Sequence, residues 1–431
     1  MEPRKLDRRG LFGVAAALAA AGMSTACRST TSPSATEGPD PEDEFGELPD
    51  LRVLVAPISS EERSARRARL ATLLRRHALD AYLCEGGPTM SYLSGVTWGR
   101  SERTFALLVL ADGSHFWLCP AFEAEKARLS VEAPKGPGGD LVRWEEHEYA
   151  FAPLAAALKA RRAERVAVDP QARFFVAEGL RAELGHERVV SGREVVTALR
   201  GIKDAHELEL LRVANEGTQL ALGAVSHRVR LGMRGDDVAK LMSRAHAKLG
   251  MNSPWSLALV GPAAAYPHGD NQSIALARGD FLLVDTGASL HGYASDITRT
   301  WCVEGAPSEA QQRAWHAVRD AQARAFDLIA PGVECREVDR AARASLEAAG
   351  YGSGYAKFTH RLGHGIGMEG HEDPYFDGGS CVKLEPGMTL SNEPGVYLYG
   401  EFGVRIEDIV ACTASGATHF GAWQRGWSSP T

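Results

Sequence analysis

Residues 231–250 (LGMRGDDVAKLMSRAHAKLG) line up with residues 331–350 (PGVECREVDRAARASLEAAG), sharing Gly232/Gly332, Val238/Val338 and Gly250/Gly350. Three identities in twenty carry little alone, but the surroundings repeat as well. Asp204 to Arg230 reads as a long amphipathic helix with Leu208, Leu211, Ala214 and Leu222 on its apolar side. A second helix, Asp236 to Leu249, stops at Gly250. Ser308 and Gln311 then form a capping box for a helix reaching about Ile329, Pro331-Gly332 breaks it, and another helix runs to Gly350. Strands follow each pair. An internal repeat of this kind points to a duplicated α+β unit.

Those strands carry acids in apolar settings. Asp285 follows FLLV, Asp296 lies in YASDITRT, Glu393 follows TLSN and Glu407 follows GVRI. A carboxylate buried in such strands is costly unless a cation compensates it. His364 lies between Gly363 and Gly365, where missing side chains would let an ion come close. Four carboxylates and an imidazole form a hard, oxygen-rich set suited to Mn²⁺, Zn²⁺, Co²⁺ or Fe²⁺, and are more than one ion needs. Asp285 and Asp296 are equidistant from the centre of Ser289-Leu-His-Gly292, so a simple hairpin sets them face to face, with Cβ atoms about 4.5–5.5 Å apart. Glu393 and Glu407 are likewise equidistant from Gly400. Such pairs could hold two ions about 3.5–4 Å apart.

The set DTG…YASDITRT, GHGIG, NEPG and GVRIED resembles the M24 metallopeptidase family, the pita-bread fold of methionine aminopeptidase, aminopeptidase P and prolidase. The resemblance covers about residues 200–415 and implies an α+β, pita-bread domain over 196–431, with duplicated ααβ units around a curved antiparallel sheet. The α/β region at 56–195 resembles the creatinase-type N-terminal domain of the proline-directed members. By this resemblance Asp285 binds one metal ion, His364 and Glu393 the other, and Asp296 and Glu407 bridge both. The expected cofactor is a pair of divalent ions, Mn²⁺ first and Co²⁺, Zn²⁺ or Fe²⁺ as alternatives, sharing a hydroxide that attacks the scissile carbonyl. Glu393 would also carry the proton from nucleophile to leaving amine. His268, in AYPHGDN, matches the histidine that approaches substrate and departing nitrogen. His360 and His371 match the histidines that hydrogen-bond substrate, and Arg405 an arginine that orients a carboxylate or tunes Glu407.

Methionine aminopeptidases usually lack the large N-terminal domain, and creatinases lack the ligands. What remains is cleavage of Xaa-Pro, a bond that most peptidases handle poorly because proline lacks an N–H and has a fixed φ. The expected activity is hydrolysis of Xaa-Pro dipeptides. The alternative is an aminopeptidase P acting on longer Xaa-Pro-Yaa peptides. A non-enzymatic peptide-binding module of this fold would be expected to have lost ligands. A homodimer is expected with the family.

The N-terminal domain shows no chemistry of its own. Glu61 to His77 reads as a helix and Leu79 to Cys84 as a strand; Thr104–Leu110 and His115–Cys119 form a hairpin at Asp112-Gly113, and Glu164–Asp169 makes another strand. Tyr92-Leu-Ser-Gly95 and Arg100 could reach a neighbouring site, but turn roles are preferred. Residues 1–27 read as a signal peptide, with Arg8-Arg9 of twin-arginine type before an apolar run too short to span a bilayer. Ser24-Thr25-Ala26-Cys27 resembles a lipoprotein box, with Cys27 lipidated, and also suits an ordinary small-x-small cut. The expected location is the periplasm or cell envelope. Residues 28–55, rich in Ser, Thr, Pro and acids, are expected to form a disordered tether. A net charge of −7 without a basic block argues against nucleic acid as partner. The seven scattered cysteines form no CxxC pair and read as small buried hydrophobes.

Overall fold

Six short apolar strands build the N-terminal sheet: β1 (Ala81–Glu85), β2 (Ala106–Leu110), β3 (His115–Pro120), β4 (Asp140–Trp144), β5 (Val166–Val168) and β6 (Val189–Ser191). Their order is β4-β3-β2-β1-β5-β6, with the β1–β2 and β2–β3 pairs antiparallel and the others parallel. Gly113, at φ 92°, turns the β2–β3 hairpin as expected. One face is covered by α1 (Ser60–Arg76), α2 (Pro88–Ser94), α3 (Ala124–Val131) and α6 (Arg193–Arg200), the other by α4 (Phe151–Ala160) and α5 (Phe174–Leu184). Because Val195, Val196 and Leu199 of α6 belong to this core, the first domain extends past the expected boundary at 195 to about Arg200. Tyr92 is buried with its hydroxyl donating to Leu199 O, and Arg100 Nε donates to Gly86 O, so both serve the fold.

The second domain opens with α7 (Ala205–Ser226) and α8 (Gly235–Lys248), followed by β7 (Asn252–Val260), β8 (Phe281–Leu290), β9 (Tyr293–Ala294) and β10 (Ile297–Cys302). The plan then recurs with α9 (Glu309–Leu328), α10 (Cys335–Ala348), β11 (Gly363–Gly365), β12 (Glu372–Phe376) and β13 (Thr389–Asn392). The chain finishes with β14 (Gly395–Leu398), β15 (Phe402–Arg405), β16 (Asp408–Thr413) and β17 (Gly416–His419). Antiparallel sheets run β10-β8-β7, with β9 on β8, and β12-β11-β13-β16-β17, with β14–β15 as a separate ribbon. The repeat is physical: Gly232 and Gly332 share φ near 88° (88° and 87°), Gly250 and Gly350 are both left-handed, and Val238 and Val338 are both buried. The Ser308–Gln311 capping box forms as expected.

This computed structural model describes residues 44–431. The expected signal peptide with Arg8-Arg9 and Cys27, and the expected tether up to residue 43, lie outside the described residues. The remainder of the expected tether is corrected. Phe45, Leu48, Leu51 and Val55 are buried in the core containing Leu210, Ala214 and Leu222 of α7, and Leu51 N–H donates to Leu249 O. Apolar residues three or four apart make a short helical surface, and the acids between them point to solvent. Among the described cysteines, five are buried and Cys381 is exposed. No described helix is long and apolar enough to cross a membrane.

Candidate metal centre

Asp296, Glu393 and Glu407 sit at breaks between strands, whereas Asp285 and His364 lie within β8 and β11. Backbone groups released at those breaks find other partners: Asp296 N–H donates to Asn215 Oδ1, Glu393 N–H to Leu362 O and Glu407 N–H to Thr298 O. The second hairpin obeys the expected arithmetic. Asn392 pairs Asp408 on one side and Gly395 pairs Arg405 on the other, so Glu393 and Glu407 face each other in the gap between two ladders of one register. The first hairpin does not. Its turn is the two residues His291 (φ 50°) and Gly292 (φ 89°), one position beyond the expected centre, and Asp285 pairs with Thr298. Asp296 is therefore a diagonal neighbour of Asp285 on the same face, still within reach for a shared site.

His364 Nε2 lies 3.4 Å from Glu393 Oε1, 3.6 Å from Asp296 Oδ2 and 4.0 Å from Glu407 Oε1. Donor atoms around one ion with bonds of about 2.1 Å are spaced by roughly 3–3.5 Å, so these distances suit co-ligands. Ligand atoms of Asp285, Asp296 and Glu407 lie within 4.8 Å of one another, as do those of His364, Glu393 and Glu407. Glu407 belongs to both sets. Asp285 Oδ1, Asp296 Oδ1 and Glu407 Oε1 are buried without a hydrogen-bond donor. Buried anionic oxygens of that kind are stable only beside a cation, and the donor set fits two hard divalent ions.

The electrostatics say the same. Burial, then the charges of Glu407, Asp285 and Glu393, push the Asp296 carboxyl far above its usual range. Glu407 is raised by burial and by Glu393 and Asp285. Burial, opposed by Arg405, takes Glu393 up to about 7. Burial, and the neighbouring His371, bring His364 down to about 3, leaving the neutral imidazole that a metal requires.

The glycines beside His364 act differently from expectation. A Cβ on Gly363 would meet Ser391 O at 1.9 Å and one on Gly365 would meet Glu372 O at 2.5 Å. They let neighbouring strands close in rather than an ion.

Of the other expected site residues, His371 stacks on His364 with ring centroids 3.7 Å apart. His268 is exposed on the wall of a cavity of about 310 Å³ that is also lined by all five candidate ligands and His371. His360 faces the same cavity with both nitrogens engaged. Nδ1 lies 2.7 Å from Arg361 O, so it carries the proton, and Nε2 accepts from the Tyr397 hydroxyl at 2.7 Å. Arg405 Nη1 in turn donates to that hydroxyl, while Nη2 donates to Asp285 Oδ2 at 2.7 Å. Arg405 thus orients a carboxylate of the site itself. Tyr397, Thr298, Ser391 and Asn215 were not among the expected residues. Ser391 Oγ donates to Glu393 Oε1 and accepts from His364 N–H, and Thr298 Oγ1 donates to Glu407 Oε2 at 2.6 Å. Short hydroxyl side chains in strands carry no sequence signal beyond β propensity; only their position opposite or two residues from an acid could have drawn attention.

The N-terminal domain reaches this region through α6. Arg200 pairs with Glu369 and Glu372, Lys203 with Glu372 and Arg193 with Asp373, bracketing His371. A cleft of about 130 Å³ is lined by Arg200, Glu369, Glu372 and Asp373 together with Thr89, Asp169 and Gln171; Arg200 Nη1 donates to Thr89 Oγ1 and Gln171 Nε2 to Glu369 Oε1.

Residues 209–414 match the metallopeptidase family M24, and residues 66–202 match the creatinase/prolidase N-terminal domain. The chain is 31% identical over 360 residues to an Xaa-Pro dipeptidase of Lactobacillus delbrueckii subsp. lactis, covering 82% of this chain and 95% of that one. It is 32% identical over 357 residues to "Probable dipeptidase PepE" of Mycobacterium tuberculosis, covering 82% and 93%. The crystal structure of dipeptidase PepE from Mycobacterium ulcerans superposes with a TM-score of 0.79 at 30% identity, over 87% of this chain and 99% of that one.

Proposed function

Because the chain belongs to metallopeptidase family M24, with a creatinase/prolidase N-terminal domain, we propose that it hydrolyses the Xaa-Pro bond of dipeptides with two divalent ions. The observation that carries this reading is the pair of ligand sets sharing Glu407, with three buried carboxylate oxygens lacking donors. Asp285, Asp296 and Glu407 would hold one ion, and His364, Glu393, Asp296 and Glu407 the other. Two divalent ions supply Lewis acidity and a nucleophilic oxygen at neutral pH, and Mn²⁺ suits the oxygen-rich set.

The chain's own groups would do the rest. Glu393 can accept a proton and pass it to the departing proline nitrogen, while Ser391 Oγ fixes its Oε1. His268 and His371, on the cavity wall, can donate to the substrate carbonyl and approach the leaving nitrogen. Arg405, Tyr397 and His360 form one oriented chain that holds the Asp285 carboxylate aimed.

The test is to assay Mn²⁺-loaded protein on Gly-Pro beside Gly-Pro-Gly. Faster cleavage of Gly-Pro is expected; a preference for the longer peptide would assign aminopeptidase P specificity. No cleavage of either, with metal bound, would overturn the proline-directed reading. Metal analysis should find two ions in the wild type and fewer in Asp296→Asn or Glu407→Ala, with circular dichroism unchanged.

Export, a lipid anchor at Cys27 and a homodimer are proposed on the sequence and family grounds above. Arg8→Lys with Arg9→Lys should hold the precursor in the cytoplasm on fractionation, and normal export would reject twin-arginine targeting.

A further inference from the structure

Asp296 reaches the candidate centre through a gap in a ladder that otherwise keeps one register. Thr286 pairs with Ile297 on one side of the gap and Ser289 with Ala294 on the other, leaving Gly287 and Ala288 opposite Asp296 and Ser295. In a regular antiparallel ladder Ala288 and Ser295 would exchange two backbone hydrogen bonds. One is made, from Ser295 N–H to Ala288 O at 2.8 Å. For the other, Ala288 N–H donates to Ser295 Oγ, at 3.0 Å. The displaced Ser295 carbonyl turns against Gly287, where a Cβ would meet it at 1.9 Å. The hydroxyl of Ser295 thus stands in for its own carbonyl. The next residue leaves the ladder, and Asp296 N–H donates to Asn215 Oδ1 of α7.

That hydroxyl is held from behind. Ser295 Oγ lies 2.6 Å from Thr218 Oγ1 of α7, and Thr218 Oγ1 lies 3.1 Å from His246 Nε2 of α8. The Ser295 proton can reach Thr218 Oγ1 or Ala288 O, the latter at 3.1 Å. All three side chains are buried, and His246 is the one polar member of a helix face otherwise made of Val238, Leu241, Met242 and Ala245. Burial brings His246 down to about 4, so its imidazole is neutral. Two hydroxyls and an imidazole in a core are costly to desolvate, and apolar side chains of the same shape would serve the helices about as well. Stability alone does not call for them, and the line they form ends at the residue before a metal ligand. We propose that Ser295, backed by Thr218 and His246, is a positioning network that keeps the ladder open and so aims Asp296 at both metal ions. The proposal rests on the two-metal reading of the site and names what sets the geometry of a shared ligand.

Ser295→Ala is the deciding variant. Without the hydroxyl, Ala288 N–H can take the carbonyl at position 295, so the ladder should close and carry the Asp296 carboxylate out of place. The full chain should fold, with circular dichroism unchanged, and bind Mn²⁺ at least tenfold more weakly by dye competition. Thr218→Val removes the backing hydroxyl at nearly constant volume and should weaken Mn²⁺ binding in the same direction. Thr218→Ser should restore it, whereas a role in packing alone would favour valine over serine. Wild-type Mn²⁺ affinity in Ser295→Ala would overturn the proposal. If the wild type takes up fewer than two ions, the proposed function loses its metal pair, and the network is read from crystal structures of metal-free wild type and Ser295→Ala. A bond from Ala288 N–H to the carbonyl at position 295, with Asp296 displaced, is then expected, and a carboxylate in the same place in both would overturn the assignment. If Ser295→Ala does not fold, Thr218→Val against Thr218→Ser carries the same two readings.

Discussion

Thr298 Oγ1 donates to Glu407 Oε2 and accepts from Arg405 Nε, so one hydroxyl aligns a ligand with the arginine that serves the opposite ligand. Outer partners of this kind tune ligand orientation, and Thr298→Val, which removes the hydroxyl at nearly constant volume, is expected to weaken metal binding about 10–100-fold. Competition titration with a metal-sensitive dye would measure it, with circular dichroism confirming an unchanged fold. The acids themselves impose a pH dependence on protein stripped of metal by chelation. Glu393 is raised to about 7 from the usual 4.5, so the unfolded chain ionises first as pH rises. On account of Glu393 the chelated fold therefore loses stability between about pH 4.5 and 7, and Asp296 and Glu407, both raised well above their usual range, act in the same direction. Thermal melts across that range should fall for chelated protein and not follow that fall for Mn²⁺-loaded protein. At this scale the five candidate ligands, which the structure brings together, stood out because a charged residue in an apolar strand is an expensive anomaly. Thr298 and Ser391 were hidden because a hydroxyl in a strand is ordinary.

Between β12 and α6, two arginines and a lysine grip three acids that flank His371 in sequence. Arg200, Lys203 and Glu372 are largely buried, and removing one partner leaves a charge without compensation. Arg200→Met is expected to destabilise by about 3–5 kcal/mol, towards the lower figure because Lys203 still neutralises Glu372. Chemical denaturation would measure this, and kcat should fall while metal content holds, since the segment displaced carries His371 and not a ligand. Helices and their caps were readable from periodicity and from Ser308 with Gln311. The β13–β16 and β14–β15 register was readable because its turn adds no residue out of step. The β8–β9 turn was misplaced by one position, since left-handed His291 replaces the commoner Asn or Asp before Gly292. The ion-pair grip could not be read at all: its partners are some 170 residues apart, and nothing local records their meeting.

At the scale of the molecule, the first domain is continuous with the second through α6 and through Phe45–Val55, which packs on α7. A Cβ on Gly217 would meet Leu51 Cδ1 at 2.3 Å, so α7 carries a glycine where that leucine sits. Leu51→Ala should cost about 2–5 kcal/mol, seen as a lowered Tm. The segment was misread because, over residues 28–55 as a whole, acids and prolines outnumber its four anchors, and composition averages over a pattern that spacing reveals. The two-domain plan itself was legible because the hundred-residue repeat marks where the second domain begins. The ribbon formed by β14 and β15 has one further consequence. Its ladder keeps register from Gly395 and Arg405 out to Leu398 and Phe402, and Gly400 at the tip has open space around it. Loop closure grows by only about 0.6 kcal/mol for each doubling of length. An epitope or fluorophore acceptor spliced in at Gly400 would therefore leave Glu393 facing Glu407, giving an attachment point on the catalytic half that the metal ligands do not feel.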